Sequence, residues 1–503
     1  MTGRKFTFEG QPAIGLLTHE DIERIHARAL KLLAEVGVEV HSERALKLLA
    51  EAGAEVDFES RRVKLPSRLV EWAIEAAPTQ VTLYSRDGDK SYRLEGDRVH
   101  YTPGSATLKL LESDGRTVRK PTAADFEDFT LIVEGLEHIT LQSTAMVLDD
   151  VPREIGDSYR LFVILRNGVK PTITGAFSIH GVKDMYRLLA AAVGGEEELR
   201  GRPRAVFDAC PSPPLKWAEI GAENIIDCAR LGLPVEFVSM PLAGSAAPAT
   251  LAGCVLQHTV ETLSGVVLAQ VAREGAAVIY GGAPSLFDMR TGTTPMAAIE
   301  TTMIDIAYAQ MGKYYGLPTH TYTGMSDSKL LDVQAGLETS LGLVLGTLAG
   351  INVIAGPGAV EFITSQSLEK LAMDNDLCGS LARLRRGMTV DEETLAADLI
   401  AQVGPGGEFL TARHTRKWYK LEQFFPSQII DRWTRNNWSN RGSKDSIANA
   451  REVVAGILER RDEVAKPLDD ARAQALLEAM NEIAQEQGLD PKLMPINRPE
   501  GEN

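Results

Sequence analysis

The sequence predicts an α/β chain built on a (β/α)8 TIM-type barrel, and three observations carry that expectation. Eight short apolar segments each precede an amphipathic helical stretch between residues 98 and 386. Most of these segments are bounded by Gly or Pro and lack polar alternation, as strands covered on both faces do. About 290 residues suits eight such units. The alternative is an open doubly wound sheet, but no G-x-G-x-x-G follows any of the strands.

The elements follow in order. Residues 1–97 are expected to form an N-terminal helical and β cap. Residues 18–77 look helical, and "ALKLLAEVGVEV" (29–40) returns as "ALKLLAEAGAEV" (45–56). Two copies fall short of a solenoid and suggest a cap or a self-association surface. Residues 78–120 turn to β character, with turn signals at Asp87-Gly88 and Glu95-Gly96.

The barrel is expected over residues 98–386. "RVHYT" leads to a helix capped by Thr122, "HITLQST" to a helix over 153–167, and "PTITGAF" to one over 181–193. "RAVFDAC" leads to 215–231, "PVEFVSM" to 248–273 and "AVIYGG" to 296–315. "PTHTYTG" leads to 330–349 and "NVIAGP" to 367–384. Ala218, Ala222, Ile225, Ile226 and Ala229 share one helical stripe. Leu337, Leu341, Val344, Leu345 and Leu348 share another, and both are expected to face the core. Residues 387–503 form a C-terminal extension packing on the barrel. It has a helix at 391–403, the basic and aromatic "HTRKWYKLEQFFP", and a surface helix in "ARAQALLEAMNEIAQEQ".

Composition limits the partners. A net charge of −16 without Lys/Arg clusters argues against nucleic acid. Four scattered cysteines without a CxxC pair suit reduced thiols in the cytoplasm. The start "MTGRKFTFEGQ" has no signal-peptide core. The uncharged run 339–360 reads as a helix end, a stop at Gly350 and a strand rather than a membrane span.

Chemistry on a barrel sits where the strands end. Those positions carry Tyr101 and Gly104; Gln142 and Ser143; Phe177; Asp208; Ser239 and Met240; Tyr280, Gly281 and Gly282. Tyr322, Gly324, Ser326 and Asp327 follow, then Gly356, Gly358 and Glu361. No H-E-x-x-H, two-His-one-carboxylate or H-x-C spacing occurs, so no metal site is expected. No G-x-S-x-G elbow or P-loop occurs either. What stands out is a mouth rich in glycine, with aromatic residues and few carboxylates. Aromatic faces without a metal suit a quaternary ammonium.

Six stretches in order then resemble the trimethylamine methyltransferase superfamily of corrinoid-dependent enzymes. They are "HYTPGSATLKLLESDGRTVRKPTAADF", "MPLAGSAAPATLAGCVLQHTVETLSGVVL", "VIYGGAPSLFDMRTGTTPMAAIE", "GMSDSKLLDVQAGLE", "SLEKLAMDNDLCGSLARLRRGM" and "VGPGGEFLTARHT". The resemblance implies a (β/α)8 barrel that passes a methyl group from an amine to the Co(I) of a separate, cognate corrinoid protein, with no cofactor bound by this chain. Members acting on trimethylamine carry pyrrolysine near the end of the seventh strand, in or near 321–328 here. All letters in that stretch are ordinary, so the chain resembles the branch acting on quaternary amines such as glycine betaine. The alternatives are trimethylamine demethylation without pyrrolysine and a non-catalytic quaternary-amine-binding barrel.

On this reading Tyr101, Phe177, Tyr280, His320 and Tyr322 bind the substrate, and Asp327 and Glu361 orient it or balance its charge. Gly104, Gly281, Gly282, Gly324, Ser326 and Gly356 leave space facing the corrinoid. The acidic "DNDLCGSL" and the basic "HTRKWYK" are candidate docking surfaces for the corrinoid protein, and a homo-oligomer is expected.

Overall fold

The computed structural model describes residues 13–104 and 106–497. The reading of "MTGRKFTFEGQ" lies outside them. The chain has an α/β fold with parallel sheets. Its main strands are β1 (His100–Thr102), β2 (Gln142–Ser143), β3 (Thr172–Gly175), β4 (Ala205–Ala209), β5 (Val235–Ser239), β6 (Val278–Gly282), β7 (His320–Thr321) and β8 (Val353–Ala355). The helices that follow them are α1 (Ala123–Gly135), α2 (Gly156–Asn167), α3 (Gly181–Val193), α4 (Glu219–Leu231), α5 (Leu251–Ala272), α6 (Ile299–Tyr314), α7 (Val333–Leu348) and α8 (Leu368–Arg385).

One parallel sheet has the order β6-β5-β4-β3-β2 and a second has the order β7-β8-β1. They meet at both edges. A parallel bridge joins Tyr280 to Thr319, with Tyr280 N–H donating to Pro318 O at 2.8 Å. At the other edge Leu141 N–H donates to Tyr101 O at 3.1 Å.

Local chemistry sets the helix ends. Thr122 and Asp125 form a capping box at the start of α1, and Asp332 and Ser367 cap α7 and α8. Gly194 and Gly232 close α3 and α4 in the left-handed conformation.

Side chains alternate along each strand between a face toward the helices and an inner face. On the inner face Leu141, Ile173, Val206, Ile279 and Val353 form one cluster near the N-terminal ends of the strands. Val81, Leu83 and Leu94 of the hairpin Val81–Tyr84/Ser91–Leu94 complete it. Each such aliphatic side chain contributes about 1.5–3 kcal/mol on burial, so the hairpin is a firm floor.

Several sequence expectations are corrected. Residues 18–77 are not all helical. The helices His19–Glu35 and Glu43–Glu51 each lead into a strand, Val38–Val40 and Glu55–Asp57. Both strands pair with Arg62–Lys64, and Val38–Val40 also pairs with Lys216–Trp217 before α4. Each copy of the duplication is therefore a helix–strand unit.

In α4, Ala222, Ile225, Ile226 and Ala229 are buried as expected, while Ala218 is exposed at the N-cap. The stripe of α7 faces outward at Leu337 and Leu341 and is half-buried at Val344, Leu345 and Leu348. Leu337 is 66% and Leu341 46% exposed, and Ala335, Thr339, Gly342, Leu343, Gly346 and Thr347 are buried. The reason is close approach: a Cβ at Gly342 would overlap the carbonyl oxygen of Thr323, and one at Gly346 would lie 2.8 Å from Thr323 Oγ1. The small-residue face lets α7 sit on the end of β7, and Leu337 and Leu341 are left outside.

The run 339–360 divides as read: α7 ends at Leu348, Gly350 takes φ 65° and β8 begins at Val353. Among the described residues one helix, α5, is long and apolar enough to cross a membrane, and 72% of its apolar window is buried inside the protein.

In the C-terminal extension, the single helix expected at 391–403 is two, Glu392–Leu395 and Ala397–Val403, broken at Ala396 with φ 51°. No residue from 388 to 428 is buried. The last helix, Asp470–Glu486, is docked rather than a surface helix. It packs on α3 with Leu476, Met480 and Ile483 buried.

Candidate functional site

Above the floor, three titratable side chains meet on the inner face. Asp208 of β4 and Glu236 of β5 are partners in register, so they share that face. His320 enters from β7, with Nδ1 2.5 Å from Glu236 Oε1 and both side chains fully buried. Strand β6 lies between β5 and β7, and its residue at this level is Gly281. A Cβ there would lie 3.1 Å from Glu236 Cγ and 3.2 Å from Oε1, so the glycine lets Glu236 reach across β6. From behind, the Tyr308 hydroxyl donates to His320 O at 2.7 Å and Gly282 O at 2.9 Å, tying β6 to β7.

The Glu236–His320 approach is a contact rather than an aligned hydrogen bond. Asp208 Oδ1, both Glu236 oxygens and both His320 ring nitrogens are buried without an aligned partner among the described residues. Burial pushes the Asp208 carboxyl well above the usual range, the Glu236 charge adds to that, and His320 opposes it. Burial does the same to Glu236. Burial pushes His320 down to about 4, against the pull of Asp208. Burial therefore favours the neutral form of each of the three groups.

Asp208 opens onto a cavity of about 200 Å3, roughly the volume of seven waters. Ser143, Gly175, Phe177, Cys210, Ile220 and Asn224 also line it, and the buried Asn224 Oδ1 has no partner among the described residues. Phe177, 60% exposed, stands at its rim. The Phe177 N–H donates to Asp157 Oδ2 at 2.6 Å, and the Arg160 guanidinium lies 5.5 Å from the Phe177 ring centroid. Arg160 donates to Thr144 O and Gly156 O.

The other expected site residues are placed as follows. Tyr322 is buried over the ends of β5–β8 with Val238, Ala283, Met325 and Ala355, its ring edge-on to His320 at 4.8 Å. His320 faces Glu236 and not open space. Tyr101 and Tyr280, expected in the cage, turn away. Tyr101 OH lies 2.9 Å from Thr347 Oγ1 of α7, and Tyr280 OH donates to Thr259 Oγ1 of α5 at 3.1 Å. The period of two dictates this, because Ile279 and Gly281 face inward and Tyr280 cannot.

The glycines expected to leave room are mostly points of close packing. A Cβ at Gly282 would overlap His258 Nε2, so that position faces the helices. Cβ atoms at Gly104, Gly324 and Gly356 would lie 3.0 Å from Gly356 N, 2.8 Å from Pro357 Cδ and 2.8 Å from Gly324 C. These three draw the ends of β1, β7 and β8 together rather than opening a space. Only Gly104 of this trio lines the cavity. The Ser326 hydroxyl donates to Glu338 Oε2 at 2.6 Å.

The two expected catalytic carboxylates hold loops. Asp327 accepts the N–H groups of Met296 and Ala297 at 3.0 and 3.1 Å. Burial nevertheless pushes it up to about 6. Glu361 pairs with Lys109 at 3.1 Å and accepts the Ser365 hydroxyl at 2.6 Å. Burial acts to raise it, but Ser365 and Lys109 outweigh that and hold it below its ordinary value. "DNDLCGSL" is not a docking surface. It lies in α8, where Asp374 pairs with the buried Lys370 at 2.6 Å and Asp376 accepts the Ser427 hydroxyl at 2.8 Å. Arg413 and Arg416 are exposed.

Asp327 yields a pH prediction. Its folded value of about 6 lies above 3.8, so the folded chain holds the extra proton between those values. Its contribution to stability is fully present below pH 3.8 and is lost as pH rises through 6. The stability difference between the wild type and Asp327→Asn, measured by denaturant melts, is expected to shift toward the wild type between pH 6.5 and 4.5. A pH-independent difference would remove the assignment.

Glu236 was missed from the sequence, and Asp208 was noted only as a strand-end residue. The available signal was an acid inside each of two neighbouring apolar strands, "AVFDA" and "VEFVS".

A family model described as trimethylamine methyltransferase (MTTB) matches residues 3–488. The chain is 32% identical over 475 residues to "Trimethylamine methyltransferase MttB" of Desulfitobacterium hafniense (strain DSM 10664 / DCB-2), covering 94% of this chain and 95% of the relative. It is 32% identical over 430 residues to "Glycine betaine methyltransferase" of Desulfitobacterium hafniense (strain Y51), covering 85% and 89%. A crystal structure of the Methanosarcina barkeri monomethylamine methyltransferase (MtmB) aligns with TM-score 0.50 at 12% identity, covering 88% of this chain and 92% of that one. At that identity the likeness shows the fold alone.

Proposed function

The chain belongs to the trimethylamine methyltransferase family, and from that premise we propose that it moves a methyl group from a quaternary amine of the glycine betaine type to the Co(I) of a separate corrinoid protein. The observation that carries this reading is the cavity itself: a half-buried carboxyl, Asp208, lining it together with Phe177. We further take the eight strands to close as a (β/α)8 barrel over 98–386, with a cap over 1–97 and an extension over 387–503. The four free cysteines fit a cytoplasmic setting.

The corrinoid partner supplies the nucleophile, and the chain supplies position, dryness and charge. A quaternary nitrogen needs no acid to leave. The electron pair of its C–N bond stays on nitrogen, and a neutral tertiary amine results. The Phe177 face attracts the methylammonium group. Asp208, as carboxylate, balances the cation in a medium where an unpaired charge is costly. The walls exclude water from the reacting carbon. Phe177, Ile220, Met240 and Met289, exposed at 60, 38, 39 and 73%, lie just beyond β3–β6 and offer an apolar seat that fits a flat macrocycle.

The test is to mix the full chain with a reduced corrinoid protein and a panel of betaines and follow methylation of the corrinoid by its visible spectrum. Transfer from a betaine supports the reading. Transfer from trimethylamine but from no quaternary amine selects the trimethylamine alternative, and betaine binding without any transfer selects the non-catalytic one.

A second copy of this chain is the occupant we assign to the outer face of α7. Val333, Leu337 and Leu341 recur at i, i+4 and i+8 and are 76, 66 and 46% exposed. The unburied arm over 388–428 adds Met388, Val390 and Leu410 at 86, 74 and 78%. An apolar stripe exposed along one helix face marks a candidate interaction surface. The double change Leu337→Asp, Leu341→Asp is expected to yield monomers in sedimentation while the wild type sediments as a larger species. Identical sedimentation of the two would refute it.

A further inference from the structure

We propose that cation binding in this cavity expels one proton from the Asp208–Glu236–His320 set, and that the set takes a proton back once the methyl group has left. This rests on the quaternary-amine reading above and adds to it a regulation of the same site.

The argument starts from charge and burial. Asp208 reaches the cavity, Glu236 lies beside it in register, and His320 stands 2.5 Å from Glu236. The Glu236 and His320 side chains are fully buried. None of the three has an aligned partner for the atoms named above. Other titratable groups do not neutralise the set. Cys210, just past the end of β4, is exposed and brings no positive charge. Behind Phe177, Asp157 holds a backbone N–H and Arg160 is spent on carbonyls. At rest, burial without an aligned partner therefore favours an uncharged set.

A methylammonium group entering such a cavity finds no counter-charge unless the set loses a proton. Asp208 is the member that touches the cavity, so its carboxylate forms there and the proton leaves to solvent. During transfer the methyl carbon departs without the electron pair of its C–N bond, and the nitrogen becomes neutral. The cation has then gone from the cavity while the carboxylate remains. An unbalanced buried carboxylate is unfavourable, so Asp208 regains a proton, with Glu236 and His320 as the adjacent groups able to pass one. Over the cycle protons balance: one out on binding, one in after transfer.

The experiment is isothermal calorimetry of the full chain with glycine betaine at pH 7.2, in phosphate, HEPES and Tris, whose ionisation enthalpies differ. The expected dependence of observed heat on buffer corresponds to about one proton released per ligand bound. Affinity is expected to rise about tenfold per pH unit while Asp208 is protonated in the free chain. The isostere 3,3-dimethylbutanoate keeps the carboxylate and lacks the cation, and is expected to bind, if at all, with no proton release. Asp208→Asn is expected to abolish the buffer dependence, which a purely structural role for Asp208 would leave intact. Betaine binding with buffer-independent heat overturns the coupling and leaves the substrate reading standing. No binding of betaine or tetramethylammonium in any buffer overturns the substrate reading itself.

Discussion

Replacing Asp208 by asparagine is expected to remove methyl transfer while leaving the fold in place. Asparagine matches the aspartate in shape and cannot become an anion. A cation in the cavity then lacks its counter-charge, at a cost of about 3–4 kcal/mol. The expected fall in kcat/KM is roughly a factor of 10² to 10³. Stability should be unchanged or slightly higher, because burial already favours the neutral carboxyl in the resting chain. Steady-state transfer to a reduced corrinoid protein, with thermal melts alongside, separates the two effects. Transfer within threefold of wild type would remove Asp208 from the mechanism. Glu236→Gln is expected to have a smaller effect, since Glu236 acts through its neighbours.

The largest expected loss of stability comes from Gly342→Val. A Cβ at this position overlaps the Thr323 carbonyl oxygen, which is backbone and cannot rotate away. Either α7 lifts from the end of β7 or the strand shifts, and overpacking of this kind costs about 3 kcal/mol or more. The control is on the same helix. Gly336 has nothing within 4 Å of an added Cβ, so Gly336→Ala is expected to stabilise by about 0.5–1 kcal/mol through lost chain entropy. Denaturant melts of the two variants should move in opposite directions. Movement in the same direction would show that α7 does not depend on close approach.

Much of the fold was legible because helices and strands write different periods. The strand–helix order, the Thr122 cap and the Gly350 stop were all readable that way. Parity was not. A strand covered on both faces has no polar alternation to say which residues look inward. Tyr101 and Tyr280 therefore looked like cage residues although their strands point them at α7 and α5. The first part of the α7 stripe, Leu337 and Leu341, faces outward for a related reason. Two apolar faces compete on that helix, and the smaller wins because it allows backbone contact. Glycine is ambiguous in the same way. Gly281 makes room for a side chain, while Gly324 and Gly356 make room for backbone, and one letter serves both. The Glu236–His320 pair joins strands with another between them, so no local pattern announces it.

The hairpin floor has a kinetic consequence. With Val81, Leu83 and Leu94 packed against the inner-face cluster, the floor closes that end among the described residues, which leaves entry to the end where the corrinoid protein is proposed to sit. Donor and acceptor then share a threshold, and the amine must cross it first. Turnover becomes compulsory-order, with the acceptor last on and first off. Excess acceptor protein blocks entry to the empty cavity, so initial rates should pass through a maximum as its concentration rises, and added betaine should relieve that inhibition.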